Sequence, residues 1–310
     1  MTQRFHHAAA LSLKQLSYLV AVAETLNFTK AAEQCFVTQS TLSGGVSELE
    51  RLLGVRLVER DRQRVALTEV GAEVVRRAQD ILSASHDLIS LAQQAADPAS
   101  GVLKLGVIPT IAPFLLTHIL KTCRKHFPNL QVTVRENQTL VLLAEVESGD
   151  LDAAVLALPV DLGKLQSTLL FEETLCLIAP KDDPLAGQTG QKLADLDASN
   201  RLVLLEKGHC LREHSLLACG TQPDKSGEGG SVEATNLSTM VQLVDSGIGC
   251  ALVPDMAVKA GILNGAEVVQ VALADPLPTR TIALVTRASH PKLEFLEGEL
   301  AQALAHCQKK

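Results

Sequence analysis

The sequence predicts an α/β protein with an N-terminal winged helix–turn–helix block, a long linker helix and two Rossmann-like subdomains. Three observations predict it. Residues 11–68 carry apolar residues at helical spacing and close with two short strand-like runs. Residues 69–95 contain no proline and hold a heptad-like apolar seam. Residues 102–310 alternate strand-like and helix-like runs, the pattern of an open sheet with helices on both faces. A length of 310 residues suits two or three domains at roughly 150 residues each. With no Trp and a single Tyr, Tyr18, the cores must be aliphatic.

In the first block, Leu13, Leu16, Leu19, Val20 and Ala23 recur at helical spacing. A second helix starts at Asn27-Phe28-Thr29-Lys30-Ala31-Ala32, with Asn27 or Thr29 as cap. Val37-Thr38-Gln39-Ser40-Thr41-Leu42-Ser43 reads as a turn into a third helix through Val46, Leu49, Leu52 and Leu53, which Gly54 ends. Residues 55–60 and 64–68 are strand-like and would pair as the wing.

The linker helix, 69–97, carries Val74, Ala78, Ile81, Ser85, Leu88 and Ala92 in steps of four and three. Such a stripe either pairs with a copy of itself or packs on its own chain. Asp97-Pro98-Ala99-Ser100-Gly101 reads as a connector. Beyond it, strands are expected at 102–108, 131–134, 152–158, 201–205, 231–235, 249–254, 267–272 and 280–286. Helices are expected at 113–127, 140–148, 237–246 and 292–306. The runs divide into two similar halves with a cleft between them. Subdomain I covers about 102–175 plus 278–310, and subdomain II about 177–277.

The net charge of −7 argues against a general polyanion binder, but it is unevenly spread. Residues 1–70 hold eight Lys/Arg against seven acids, a net of +1, and the rest of the chain is −8. Arg56, Arg60, Arg62 and Arg64 form the dense basic cluster, which fits one small polyanion-facing module on an acidic body. Seven cysteines make a poor disulfide framework, so reduced thiols and a cytoplasmic location are expected. No apolar run reaches the ~18 residues of a membrane helix. Lys14 interrupts the short Ala8–Leu11 run too early for a secretion signal. There is no Ser–His–Asp spacing and no phosphate-binding glycine loop, so an enzyme is not expected, and neither is a cofactor.

Thr38, Gln39, Ser40, Thr41 and Ser43 stand where a recognition helix begins. Their polar groups suit bases and phosphates, and the helix N-terminus favours phosphate. Arg60, Arg62 and Arg64 on the wing could neutralise further phosphates. An ordinary three-helix domain with a solvated arginine cluster would show the same spacing. The segments Phe28-Thr29-Lys30-Ala31-Ala32, Thr38–Ser43, Leu49-Glu50-Arg51-Leu52-Leu53-Gly54-Val55, Glu59-Arg60 and Leu67-Thr68-Glu69-Val70-Gly71 resemble the N-terminal signature of LysR-type transcriptional regulators. The resemblance implies a winged helix–turn–helix over 11–68, a dimerising linker helix and two effector subdomains of periplasmic-binding-protein type. It implies double-stranded promoter DNA as partner, RNA polymerase as a further one, and a dimer or tetramer. Ser40 stands where proline is common, Val58 where phenylalanine is, and Ser47 and Glu48 where basic residues occur.

A second motif is Gly208-His209-Cys210-Leu211-Arg212-Glu213, with Cys219 nine residues after Cys210. A thiol of pKa ~8.5 is mostly protonated at neutral pH, and positive charge from His209 and Arg212 would favour the thiolate that attacks peroxide. If 210–219 were a continuous helix, nine steps of ~1.5 Å would hold the Cα atoms ~13 Å apart. A disulfide needs roughly 4.4–6.8 Å, so bonding would require local unwinding. Two unrelated buried thiols, or a metal site of His209, Cys210, His214 and Cys219, are the alternatives from spacing alone.

Within the LysR-type family the motif is similar to that of peroxide-sensing members, as are Ile108–Leu116 and Glu136-Asn137-Gln138-Thr139. That resemblance implies that Cys210 reacts with hydrogen peroxide and Cys219 resolves it. It implies that the disulfide changes promoter binding at antioxidant genes, that Thr110, Thr139 and His209 hold peroxide, and that Arg212 supports the thiolate. Thr110 and Thr139, each between a strand and a helix, also suit capping. Glu213 and Leu140 depart from the residues common there. The other readings are a regulator gated by a small organic effector in the cleft, and a thiol peroxidase.

Overall fold

The computed structural model describes residues 11–61, 64–93, 98–193, 202–220 and 233–309. The chain forms two compact units, Met1–Ala92 and Gln93–Lys310.

In the first unit, α1 (Leu13–Thr25), α2 (Phe28–Gln34) and α3 (Gln39–Leu53) enclose an aliphatic core of Leu16, Leu19, Val22, Ala31, Leu42, Val46 and Leu49. Each helix start is sealed by a side-chain oxygen, which satisfies amides the helix itself leaves unpaired. Ser12 caps α1 in a capping box with Gln15, Asn27 rather than Thr29 caps α2, and Thr38 caps α3. Helix α3 ends at Gly54 in the left-handed region. The wing pairs β1 (Val58–Asp61) with β2 (Arg64–Leu67), antiparallel. Glu50 of α3 accepts from the amides of Leu57 at 2.8 Å and Val58 at 3.1 Å, so helix and wing are tied by one carboxylate. Helix α4 (Glu69–Gln93) leaves the wing at Gly71, where a Cβ would meet the Leu57 carbonyl oxygen at 2.0 Å.

The expected seam on α4 divides. Val75 and Ala78 are buried in the unit's own core, with Val74 packed against it. Further along, Ile81 is 42% and Leu88 68% exposed. The near half therefore packs on its own chain, Ile81 and Leu88 of the far half are open, and the side chain of Ala92 lies outside the described residues.

The second unit begins with a parallel trio in the order β4–β3–β5. Its members are β3 (Gly101–Val107), β4 (Leu130–Glu136) and β5 (Ala153–Leu158), connected by α5 (Ala112–His126) and α6 (Thr139–Ser148). The sixteen-residue β6 (Leu165–Pro180), of which the sequence indicates only a strand-like run at Cys176, organises the rest. Its first half pairs antiparallel with β11 (Thr279–Arg287), which also pairs with β5. Its second half pairs with β9 (Ala251–Pro254) and β10 (Val268–Val271). One seven-stranded sheet thus crosses two cores. Leu170 and Phe171 of β6 lie in the first core, and Leu175, Leu177 and Ile178 lie in the second.

The second core is completed by α8 (Leu237–Asp245), α9 (Asp255–Lys259) and a small parallel pair, β7 (Leu204–Leu205) with β8 (Glu233–Ala234). Between β7 and β8 lies α7 (Cys210–Ala218). These two strands are shorter than expected, and residues 201 and 231–232 of the expected runs lie outside the described residues. The terminal helix is interrupted: α10 (Leu293–Phe295) runs through a π-helical turn (Leu296–Leu300) into α11 (Ala301–Ala305) and a final 3-10 turn (His306–Lys309). No helix among the described residues is long and apolar enough to cross a membrane.

Candidate functional site

On the first unit, Thr38, Gln39, Ser40 and Thr41 are exposed at the N-terminus of α3 and Ser43 is half-buried. Helix α3 starts at Gln39, so the expected turn is shorter than read and the polar cluster occupies the first turns of the helix. The Thr38 hydroxyl bonds those of Ser40 at 3.0 Å and Thr41 at 2.8 Å, and Thr29 donates to Gln39 at 3.2 Å. Arg60 and Arg64 lie on the paired wing strands, their side chains outside the described residues, as is the whole of Arg62. Exposed Glu48 is engaged by Arg51 at 2.5 Å. This face offers hydroxyl and amide groups at a helix N-terminus, where phosphate is favoured.

On the second unit, the turn before α7 depends on Gly208. Its φ of +102° suits glycine, and a Cβ would meet Gln138 Oε1 at 2.3 Å. His209 then stands at the N-cap in extended conformation, without a side-chain cap bond. The next two residues point into different cores: Cys210, 3% exposed, belongs to the first and Leu211 to the second. The start of α7 therefore sits astride the two lobes.

Around the Cys210 sulfur, burial dominates and pushes the thiol above its ordinary value. The Arg280 guanidinium, the Thr139 hydroxyl and the Ala157 amide act in the opposite sense, and Glu213 adds to the rise. This corrects the expectation that His209 and Arg212 provide the positive charge. Burial pulls the His209 imidazole below its ordinary value, and Glu206, 3.9 Å away, only partly opposes that. Arg212 is spent elsewhere, donating to the Leu205 carbonyl and to Glu233, both at 2.8 Å.

The supporting cation is Arg280, which sequence reasoning missed. Its one visible signal is a lone charge in the otherwise uncharged strand run Thr279–Val285. Arg280 is 1% exposed and pairs across the sheet with Glu173, donating from Nε at 2.8 Å and Nη2 at 2.7 Å. It also donates to the Thr110 hydroxyl at 2.9 Å and carbonyl at 3.2 Å. Glu173 accepts in addition from the Met256 amide at 2.9 Å. One buried pair thus joins the end of β3, the crossing strands β6 and β11, and the start of α9.

Neither Thr110 nor Thr139 caps a helix, so the capping reading fails at both. Helix α5 has Ile111 at its N-cap and α6 has Gln138, each without a side-chain bond. Thr110 is instead held by Arg280. Thr139 Oγ1 is buried and makes no hydrogen bond of ordinary geometry, although it lies near enough to Cys210 to favour the thiolate. A buried hydroxyl in that state is costly unless a partner arrives.

Cys219, 3% exposed, is the C-cap of α7, its amide bonded to the Ser215 and Leu216 carbonyls at 3.1 Å. All seven cysteines are thiols. Since 210–218 is helical, the rise of ~1.5 Å per residue sets Cys210 and Cys219 ~13 Å apart at Cα. Among the described residues no three His, Cys, Asp or Glu side chains converge as a metal site.

His214 lies one turn beyond Cys210 on α7. Burial, the nearby Arg280 charge and, opposing them, a 3.4 Å contact with the Pro159 carbonyl bring its imidazole down to about 4. The folded form therefore binds fewer protons than the unfolded chain below pH 6.5. Its stabilising contribution is complete above pH 6.5 and is lost as the pH falls toward 4. The second unit is expected to lose about 2 kcal/mol between pH 8 and pH 5. His214→Gln should remove most of that slope in urea titrations, and an unchanged slope would refute the assignment.

Comparison with known proteins agrees with these two units. Residues 13–72 match the bacterial regulatory helix–turn–helix protein family of lysR type, and residues 96–306 match the LysR substrate binding domain. The chain is 46% identical over 284 residues to the HTH-type transcriptional regulator EstR of Acinetobacter baylyi, covering 92% of this chain and 93% of that protein. It is 37% identical over 297 residues to the DNA-binding transcriptional dual regulator OxyR of Escherichia coli K12, covering 95% of each. Among solved structures, a cysteine mutant of Corynebacterium glutamicum OxyR with hydrogen peroxide bound superposes with a TM-score of 0.64 at 31% identity, covering 96% of this chain and 92% of that one.

Proposed function

The chain belongs to the LysR-type transcriptional regulators, DNA-binding proteins, and we propose that within this family it senses hydrogen peroxide through Cys210. The observation that carries the reading is the pairing of a buried thiol, backed by Arg280, with an unsatisfied Thr139 hydroxyl beside it. Peroxide supplies the missing partner. Its oxygens bond Thr139, Thr110 and His209, while Arg280 stabilises the thiolate as it forms. Arg212 acts indirectly, by fixing the helix start to β7 and Glu233.

The chemistry balances in two steps. Cys210, losing its proton, attacks one peroxide oxygen and becomes a sulfenic acid, and the other oxygen leaves as water. The Cys219 sulfur then displaces the sulfenic oxygen, giving a disulfide and a second water. Closing ~13 Å to below ~7 Å requires α7 to unwind, and the unwinding is the signal. Because α7 straddles both cores, its loss frees the two lobes to repack. The exposed far half of α4 pairs with a second copy, and the regulatory units assemble dimers into a tetramer that presents α3 to paired half-sites. RNA polymerase reads the rearrangement, the genes controlled are antioxidant genes, and the protein works in the cytoplasm.

Peroxide titration of the reduced protein, with mass mapping of thiols and footprinting on promoter DNA, tests this reading. A 210–219 disulfide with a changed footprint is expected, and its absence overturns the proposal. A second reading, a small organic effector in the cleft, is favoured by the higher identity to EstR, a regulator whose name specifies no oxidant. Calorimetric binding of a metabolite that persists in Cys210→Ser would select it.

A further inference from the structure

A second pair of thiols lies away from the Cys210 site. Cys123 on α5 is 1% exposed and Cys307 in the final 3-10 turn is 6% exposed, both in the first core. They come from opposite ends of the second unit and meet where the terminal helix crosses α5. The Thr122 hydroxyl is 3.4 Å from the Cys307 sulfur. Cys307 thus lies against the residue next to Cys123, and burial together with the Cys307 sulfur raises the Cys123 thiol to about 11.

Cys307 also lines a cavity of about 370 Å³ whose other polar walls are mostly basic: His118, Lys121 and Lys125 with His126 of α5, and His306 of the final turn. None of the lining residues is acidic, although Glu299 faces His126 and His306 from an adjoining cavity. Basic residues in the last turn of α5 would complement the helix dipole. That account covers Lys125 and His126 only, since His118 and Lys121 lie upstream and His306 comes from another element. A basic cavity opening on a thiol, in a body that is otherwise acidic, raises the local concentration of anions there.

We propose that Cys307 and Cys123 are a second redox pair, addressed by anionic two-electron oxidants such as hypochlorite rather than by neutral peroxide. The Cys307 sulfur attacks the chlorine of hypochlorite as its proton passes to the hypochlorite oxygen, and it becomes a sulfenyl chloride with hydroxide as leaving group. The Cys123 sulfur then displaces chloride and releases its proton, which neutralises the hydroxide to water. Two thiols are oxidised, one chlorine is reduced to chloride, and a disulfide fastens the C-terminal turn to α5. Cys307, which lines the cavity, acts first, and Cys123, which is absent from its walls, resolves.

The test treats the full-length reduced protein with hypochlorite or hydrogen peroxide and maps cysteine peptides without reduction. The same digest reports the 210–219 pair, so a failure there is read separately. Expected is a cross-linked pair of peptides carrying Cys123 and Cys307, formed faster with hypochlorite. Raising the salt from low to high, or making Lys121→Gln with Lys125→Gln, should slow it about tenfold. In Cys123→Ser, Cys307 should pass instead to the sulfinic and sulfonic acids. Thiols at 123 and 307 that survive hypochlorite, separate oxidation of the two without a cross-link, or a rate indifferent to salt and to both lysines would each overturn the proposal.

Discussion

Cys210→Ser abolishes the peroxide-dependent change in DNA footprint and leaves the reduced footprint in place. Serine preserves the size and hydrogen bonding of the side chain, so the N-terminus of α7 keeps its seat between the two cores. It removes the one atom that can reduce peroxide beside Thr139 and Arg280. Cys219→Ser gives a different result. The first step still proceeds, since Cys219 caps the far end of α7 and takes no part in it. The product then stops at the sulfenic acid and ages to sulfinic acid under excess oxidant. Thr139→Val tests the geometry between these extremes. It deletes the hydroxyl and keeps the volume, and it should slow thiol consumption about tenfold, the kinetic equivalent of roughly 1.4 kcal/mol. Stopped-flow measurement of thiol loss separates the three variants. A Cys210→Ser protein that still changes its footprint with peroxide would place the sensor elsewhere.

The features readable in the sequence are the local ones. Helices α1, α2 and α3 announce themselves because their caps and their apolar periodicity lie within a few residues of each other, as with Asn27 ahead of Phe28 or Gly54 after Leu53. The Gly208–Arg212 motif is equally compact. What the sequence concealed depends on contacts far along the chain. Strand β6 lacks a uniform alternation because it changes cores midway, facing the first through Phe171 and the second through Leu175, with Glu173 buried between. Its central acid looks like solvent-facing polarity until Arg280, 107 residues away, supplies the partner. Arg212 misled for the converse reason. Adjacency to Cys210 in the sequence suggested a role at the sulfur, yet on a helix a residue two positions on faces another way, and here it meets Glu233.

Arg280→Met is expected to destabilise the regulatory unit by about 3–5 kcal/mol, because it leaves Glu173 charged, buried and without its cation. At about 2–4 °C per kcal/mol for a domain of this size, melting should fall by roughly 10 °C. Part of the cost comes from Thr110, whose hydroxyl and carbonyl lose their donors. The double variant Arg280→Met with Glu173→Leu removes the stranded charge and should recover most of the lost stability, since apolar replacement of a buried pair is often close to neutral. Recovery will be incomplete at one point: the Met256 amide bonds Glu173 and would be left open at the start of α9. Reactivity separates the two roles of the arginine. If Arg280 serves only to hold the lobes together, the double variant reacts with peroxide at the wild-type rate. If its charge also supports the Cys210 thiolate, the double variant melts near the wild-type temperature and still reacts slowly, and its rate rises more steeply with pH. The second result is expected. With the favourable charge gone, burial, already the largest influence on that thiol, is opposed only by Thr139 and the Ala157 amide.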